Sequence, residues 1–95
     1  MIRIVDAGTF RRSVKKKGFV PADRARDHEM YFFELEGKKT SFWTKLSRGA
    51  SGIRIDEISA NARALGIRGD ELYKILCCTF NAAQTMVVVR RSLGL

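Results

Sequence analysis

The sequence predicts an α+β fold in which three antiparallel strands form one sheet and helices pack on one face of it. An aromatic-rich segment with a glycine turn at its centre predicts a β-hairpin, and a short apolar segment before it supplies the third strand. Apolar residues at helical spacing on both sides of these strands predict the helices. The length of 95 residues predicts a single domain, residues 1–95.

The first elements are a short strand and a helix. Residues 1–7 alternate between apolar and polar side chains, which favours a short strand or arm. Thr9 is a suitable N-cap for a helix in which Phe10 and Val14 share one face. Gly18 can end this helix because glycine readily adopts the left-handed conformation of a helix C-terminus.

The sheet is predicted from three segments. Phe19–Val20 forms a short strand, which Pro21 stops or bends. Met30–Leu35 and Thr40–Leu46 are rich in aromatic residues, a composition that favours half-buried strands. Glu36-Gly37 between them supplies the positive φ that a two-residue hairpin turn requires.

This turn fixes which residues of the hairpin pair. Leu35 then pairs with Lys38, and one face carries Tyr31, Phe33 and Phe42, which we expect to be buried under the flanking helices. The opposite face has His28, Met30, Phe32 and Glu34 across from Lys45, Trp43, Ser41 and Lys39, respectively. His28 is therefore predicted to lie directly opposite Lys45.

The segments after the hairpin are predominantly helical. Residues 47–52 are small and polar and predict a connecting loop. Apolar residues at helical spacing predict a helix over 55–65, ended by Gly66, and a second helix over 70–78. The tail from Asn81 resembles a capped helix, although its β-branched residues at 87–89 also favour a strand, and we expect the helix.

The charge distribution points to an anionic partner. The net charge is +8, from 18 Lys and Arg against 10 Asp and Glu. Residues 1–54 carry a net charge of +7, whereas residues 55–95 carry +1. A basic front half favours nucleic acid, with a solvated basic surface or an acidic protein partner as the alternatives.

The sequence predicts a cytoplasmic protein that is not inserted in a membrane. No apolar run approaches the roughly 20 residues that span a bilayer, and no basic, then apolar, secretion signal opens the chain. Cys77 and Cys78 are adjacent, and neighbouring cysteines rarely form a relaxed disulfide, so both are expected to be thiols. No cysteine and histidine pattern indicates a metal site.

His28 is the candidate catalytic residue. It is the single histidine of the chain, and histidine is the side chain best suited to proton transfer near neutral pH. An ammonium at Lys45 favours the uncharged ring that a general base requires, whereas Asp27 and Glu29 favour the charged ring. The alternative is a structural or surface histidine.

Several basic and aromatic side chains are predicted to contact RNA. Trp43, with Met30 and Phe32, can form a platform on which unpaired bases stack, or these residues can belong to the core. The cations are expected to form one positive surface around His28. The predicted RNA contacts are Lys15, Lys16, Lys17, Arg26, Lys39, Trp43, Lys45 and Arg48.

Short motifs follow this order of elements: Lys16-Lys17-Gly18-Phe19, then His28 with Tyr31 three residues later, then Gly37-Lys38-Lys39-Thr40. They resemble those of HicA-type mRNA interferase toxins over residues 9–67. The resemblance implies an α-β-β-β-α fold similar to the double-stranded-RNA-binding domain, followed by a helical C-terminal extension over 68–95. It also implies that His28 is the functional histidine, that mRNA is cleaved without metal or another cofactor, and that a HicB-type antitoxin neutralises the protein.

Three functional hypotheses remain from the sequence. In the first, His28 deprotonates a 2′-hydroxyl, Lys45 and Arg26 offset the phosphate charge, and a lysine, Asp27 or water assists the leaving group. In the second, residues 55–78 form a helix-turn-helix that binds DNA, although this half is nearly neutral and acidic residues open its second helix. In the third, the same basic surface binds nucleic acid without catalysis.

Overall fold

The computed structural model of the chain describes residues 4–22, 28–47, 51–77 and 79–95. Its elements in chain order are β1 (Ile4–Asp6), α1 (Ala7–Lys17), β2 (Phe19–Pro21), β3 (His28–Leu35), β4 (Lys38–Ser47), β5 (Gly52–Arg54), α2 (Ile55–Leu65), α3 (Gly69–Leu76) and α4 (Ala82–Leu93). Strands β2, β3 and β4 form a three-stranded antiparallel sheet with β3 in the centre. The α+β class, this sheet and the helical C-terminal part confirm the prediction.

A second sheet, which the sequence did not predict, joins β1 to β5. Val5 pairs with Ile53 in the antiparallel register, and both side chains are buried. Gly52, expected to lie in a loop, begins β5, and residues 48–50 of that loop lie outside the described residues. A Cβ on Gly52 would lie 2.5 Å from the Val5 carbonyl oxygen, so the two backbones can approach this closely only at a glycine.

The hairpin turn lies where the sequence predicts it. Glu36 and Gly37 have φ angles of 52° and 79°, the positive values that a type I′ turn requires at both central residues. Leu35 pairs with Lys38 and Glu34 with Lys39, as predicted from the turn.

Beyond Glu34 the predicted register is wrong by two residues, because the pairing between the strands is interrupted by a bulge. Tyr31 pairs with Thr44 and His28 pairs with Ser47. At the bulge, the Thr40 hydroxyl donates to the Phe33 carbonyl oxygen at 2.8 Å and accepts from the Phe42 amide at 3.2 Å. A shift of two residues leaves every side chain on its predicted face.

The helix boundaries follow from their caps. α1 begins at Ala7, before the predicted cap Thr9, because the Asp6 carboxylate accepts a hydrogen bond from the Thr9 amide at 3.3 Å. Hydrogen bonding to Thr9, chiefly through its side chain and to a smaller extent through its amide, lowers the pKa of Asp6, so the cap stays ionised near neutral pH. Gly18 ends α1 in the left-handed conformation, and α2 has the predicted bounds. α3 spans Gly69–Leu76 instead of 70–78.

One hydrophobic core joins the sheet to the helices. Phe33 and Phe42 of the sheet are buried with Phe10 and Val14 of α1, as predicted. Tyr31 is half-buried instead, and its ring packs edge-on against Phe10 with 5.6 Å between the centroids. The buried set also includes, from α2, α3 and α4, Ile58, Ala62, Leu72, Ile75, Leu76, Val88 and Val89.

Polar contacts fix α4 against the preceding helices. The Ser92 hydroxyl donates to the Leu65 carbonyl oxygen at 2.6 Å, and Arg91 forms an ion pair with Glu71. The hydrogen bond from Arg91 lowers the pKa of Glu71. Within the described residues, no helix combines the length and the apolar character needed to cross a bilayer.

Candidate nucleic-acid interface

One face of the three-stranded sheet points away from the hydrophobic core, and we call it the open face. Val20, Phe32 and Trp43 form a row across it, because Phe32 pairs with both of the others and paired residues project to the same side. All three residues are half-buried. Phe32 lies outside the core cluster of the described residues, whereas Trp43 packs against that cluster. The row therefore offers partly exposed apolar surface of the kind on which bases stack.

His28 lies at the open end of this face, which is the end away from the hairpin turn. It begins β3, pairs with Ser47 and is half-buried. Its Nδ1 atom is buried and has no hydrogen-bond partner within the described part of the chain. Lys45 pairs with Met30, so it is a diagonal neighbour of His28 on this face and not its direct partner.

A pocket of about 250 Å³ lies between this end of the sheet and α2. It brings together three predicted site residues and three residues of α2, namely His28, Trp43, Lys45, Glu57, Ala60 and Asn61. Glu57 is fixed at the start of α2 because its carboxylate accepts from the Arg54 amide at 3.2 Å. The pocket thus combines one aromatic wall with several polar side chains.

Asn61 connects the helix to the sheet in this pocket. Its Nδ2 donates to the Trp43 carbonyl oxygen at 3.1 Å, which fixes the orientation of the amide. Its Oδ1 is buried without a partner among the described residues. The sequence analysis did not single out Asn61. One signal for this residue was available in the sequence. Asn61 lies next to Ala62 and three residues after Ile58, so its polar amide falls on the face of α2 that is predicted to be apolar.

Lys45 is exposed and extends towards Trp43. Its Nζ lies 6.0 Å from the centroid of the Trp43 ring, at the outer limit of a cation–π contact. The ammonium group is thus near the pocket and accessible to an anion from solvent.

The other side of β3 holds a separate polar cluster. The Arg11 Nε donates to Glu29 Oε1 at 3.0 Å, and the Tyr31 hydroxyl donates to the same oxygen at 2.9 Å. Burial, with the bond to Glu29 as a second cause, raises the pKa of Tyr31, so its phenol stays protonated as a donor. Glu29 alternates with His28 along the strand and therefore projects to the opposite face.

The predicted cations do not form one surface around His28. The Glu34 amide donates to the Gly18 carbonyl oxygen at 3.0 Å, so the end of α1 lies beside the hairpin turn. Lys15 and Lys16, both exposed, lie in the last turn of α1 and so towards the same end of the sheet as Lys39, whereas Lys45 lines the pocket with His28. The two ends of the eight-residue β3 are roughly 23 Å apart at about 3.3 Å per residue step.

The three remaining predicted RNA contacts are Lys17, Arg26 and Arg48. Lys17 is buried, and its Nζ donates to the Ile75 carbonyl oxygen at 3.0 Å, so its charge stabilises the packing of α1 on α3 and does not face a surface ligand. Burial was not expected because lysine is seldom buried. Arg26 and Arg48 lie outside the described residues.

No group of three or more His, Cys, Asp or Glu side chains in the described ranges is arranged to hold a metal ion. Cys77 is half-buried, and its Sγ lies 3.0 Å from the Thr79 hydroxyl. Comparison of the chain with protein-family models, with curated proteins and with solved structures found no match. The chemistry of the open face and its pocket is therefore the basis for a functional assignment.

Proposed function

We propose that this protein is an RNA-binding toxin of the HicA type, which cleaves mRNA with His28 and is neutralised by a HicB-type antitoxin. The observation that carries the proposal is the position of His28 beside Lys45 and Trp43. A histidine ring, an accessible ammonium and an aromatic surface are three groups that cleavage of a single strand needs in one place.

The reaction starts with the 2′-hydroxyl of the RNA. His28 takes its proton as general base, and the oxygen attacks the adjacent phosphorus. The bond to the 5′-oxygen of the next nucleotide breaks, which leaves a 2′,3′-cyclic phosphate, and the leaving oxygen takes a proton from a lysine, Asp27 or water. Lys45 offsets the negative charge that accumulates on the phosphate oxygens.

The ends of the RNA products test this mechanism directly. A labelled single-stranded RNA is incubated with the protein in a chelator, and the products are identified by mass spectrometry. We expect one product with a 2′,3′-cyclic phosphate and one with a 5′-hydroxyl. A 2′-deoxy substitution at the cleaved nucleotide removes the attacking group and should stop cleavage there, whereas 5′-phosphate products or a requirement for metal would contradict the mechanism.

A non-catalytic nucleic-acid-binding module is the second candidate. The half-buried row of Val20, Phe32 and Trp43 favours it, because this row can bind a single strand without any contribution from His28. The helix-turn-helix form of this candidate has less support. Asp70 and Glu71 open α3, and the buried Lys17 packs against its other end, so that α3 does not present a basic surface to a groove.

A further inference from the structure

We propose that the pocket between α2 and the open end of the sheet is a base-selective subsite, which takes a nucleobase carrying an exocyclic amino group. Trp43 stacks on the base, and Asn61 Oδ1 accepts a hydrogen bond from the amino group. This inference rests on the proposed binding of RNA, but it concerns selectivity and not the cleavage step.

The size and lining of the pocket fit a single base. Its volume of about 250 Å³ is below the roughly 300–1,000 Å³ of pockets that enclose drug-sized ligands. It therefore admits one flat ring system more readily than a dinucleotide. Trp43 supplies a large aromatic surface, and base–aromatic stacking by itself tolerates every base. Selectivity must therefore come from the polar atoms.

The polar atom that makes the selection is Asn61 Oδ1. The side chain of Asn61 is almost fully buried, with the residue only 4% exposed. Its amide nitrogen is engaged by the Trp43 carbonyl oxygen, an acceptor, so the other amide atom must be the oxygen. That oxygen has no partner among the described residues, and a buried acceptor without a donor is unfavourable. In the free protein this oxygen is shielded from solvent, so we expect a base in the pocket to reach it as the lining side chains move apart and to supply the missing donor.

The other polar groups make the pocket complementary to a donor. Glu57 is a second acceptor in the lining and is held in place by the Arg54 amide. Lys45 is a donor, but its Nζ lies 6.0 Å from the centroid of the Trp43 ring and the residue is exposed, so it suits the phosphate. Cytosine, adenine and guanine carry an exocyclic amino group, whose two hydrogens can satisfy both acceptors. Uracil has a single N3–H donor, and the carbonyl oxygens on either side of it would face the same two acceptors. We therefore infer that the pocket disfavours uracil.

Trp43 provides the measurement, because it is the single tryptophan of the chain. A base that stacks on it quenches its fluorescence. Short single-stranded oligonucleotides with 2′-O-methyl riboses have no attacking hydroxyl, so their binding is read independently of cleavage. We expect quenching with cytosine-containing strands at about tenfold lower concentration than with matched uracil strands.

A second pair of oligonucleotides measures the contribution of the amino group alone. Guanine and hypoxanthine differ only by the exocyclic amine, and the guanine strand should bind about tenfold more tightly. Asn61→Ala should remove both preferences and leave quenching by stacking, with Ser59→Ala on the exposed side of α2 as the control. If Asn61→Ala does not fold, the paired strands still decide the question with the unmodified protein.

The outcomes separate this inference from the proposed function. Equal affinity for amino and non-amino bases, or no change in Trp43 fluorescence on binding, would overturn the subsite even if RNA is cleaved. An amino-base preference that depends on Asn61 would support the subsite even if no RNA is cleaved, in which case the non-catalytic module is the correct function.

Discussion

The two ends of the three-stranded sheet carry their polar groups in different ways. At the open end, His28 Nδ1 and Asn61 Oδ1 are buried without partners among the described residues. At the turn end, Lys15, Lys16 and Lys39 are exposed. Exposed lysines attract any polyanion and are screened by salt, whereas buried atoms with fixed directions discriminate between ligands.

If the protein binds RNA as proposed, this difference separates affinity from selectivity within one small domain. The turn end would supply charge that is independent of RNA sequence, and the open end would supply the atoms for chemistry and base choice. A strand that follows the open face along β3 contacts both ends. Variants that change one end and leave the other intact test whether the two ends have these separate roles.

The largest effect is expected from His28→Ala. A general base typically contributes about 10²–10⁴-fold to a reaction rate, so the single-turnover cleavage rate should fall by that factor. RNA affinity should change little, since the cations and the aromatic row remain. Ser47→Ala, at the residue paired with His28, is the control and should retain cleavage. Undiminished cleavage by His28→Ala would disprove the assignment of the base.

Next in size is the effect of Trp43→Leu on binding. Loss of one base–aromatic stack costs about 1–3 kcal/mol, so RNA should bind some 5- to 150-fold more weakly in a fluorescence-anisotropy titration. Phe80→Leu is the matched control because Phe80 is a half-buried aromatic residue that lines a pocket with Lys16, outside the open face. Equal losses in the two variants would show that the open face is not the binding platform.

A smaller effect distinguishes two lysines at opposite ends. Lys45→Ala should lower the cleavage rate at saturating RNA about tenfold, because in the proposed reaction this ammonium, which lines the pocket with His28, bonds the charged phosphate. Lys39→Ala should leave that rate unchanged and reduce the salt dependence of binding by about 0.7 in log–log slope, the value for one phosphate contact on a single strand. The assignment fails if the two variants behave alike.

The smallest effect concerns the bulge between the two ends. Thr40→Val keeps the shape of the side chain but removes the hydroxyl that donates to the Phe33 carbonyl oxygen. We expect a loss of about 1 kcal/mol in the free energy of unfolding, measured in urea. Ser41→Ala is the exposed neighbouring control and should be nearly neutral. A loss just as large in Ser41→Ala would mean that the Thr40 hydrogen bonds do not stabilise the bulge.

The elements with local signals were predictable from sequence. The left-handed glycines that end α1 and α2, the Glu36-Gly37 turn and the capping box of Asn81 and Gln84 are all present where the sequence indicates them. Each depends only on residues within a few positions of one another, so a short stretch of sequence is enough to predict it. The two faces of the hairpin were also correct, because strand alternation is a local property.

The features that depend on distant contacts were not predictable. The β1–β5 pairing joins segments that are far apart in sequence and each only three residues long, with no turn between them. The register beyond Glu34 depends on a threonine side chain that replaces backbone pairing. The roles of Lys17 and Asn61 depend on carbonyl groups of Ile75 and Trp43, which no sequence pattern relates to them.

The edges of the three-stranded sheet have a consequence for self-association. β2 is only three residues long and ends at the exposed Pro21, which has no amide hydrogen to donate. The other edge, β4, is interrupted by the Thr40 bulge and begins with two exposed lysines. Short, bulged and charged edges discourage the addition of a strand from a second molecule. Within the described part of the chain, the half-exposed aromatic row of this sheet thus lies between two edges that disfavour strand addition.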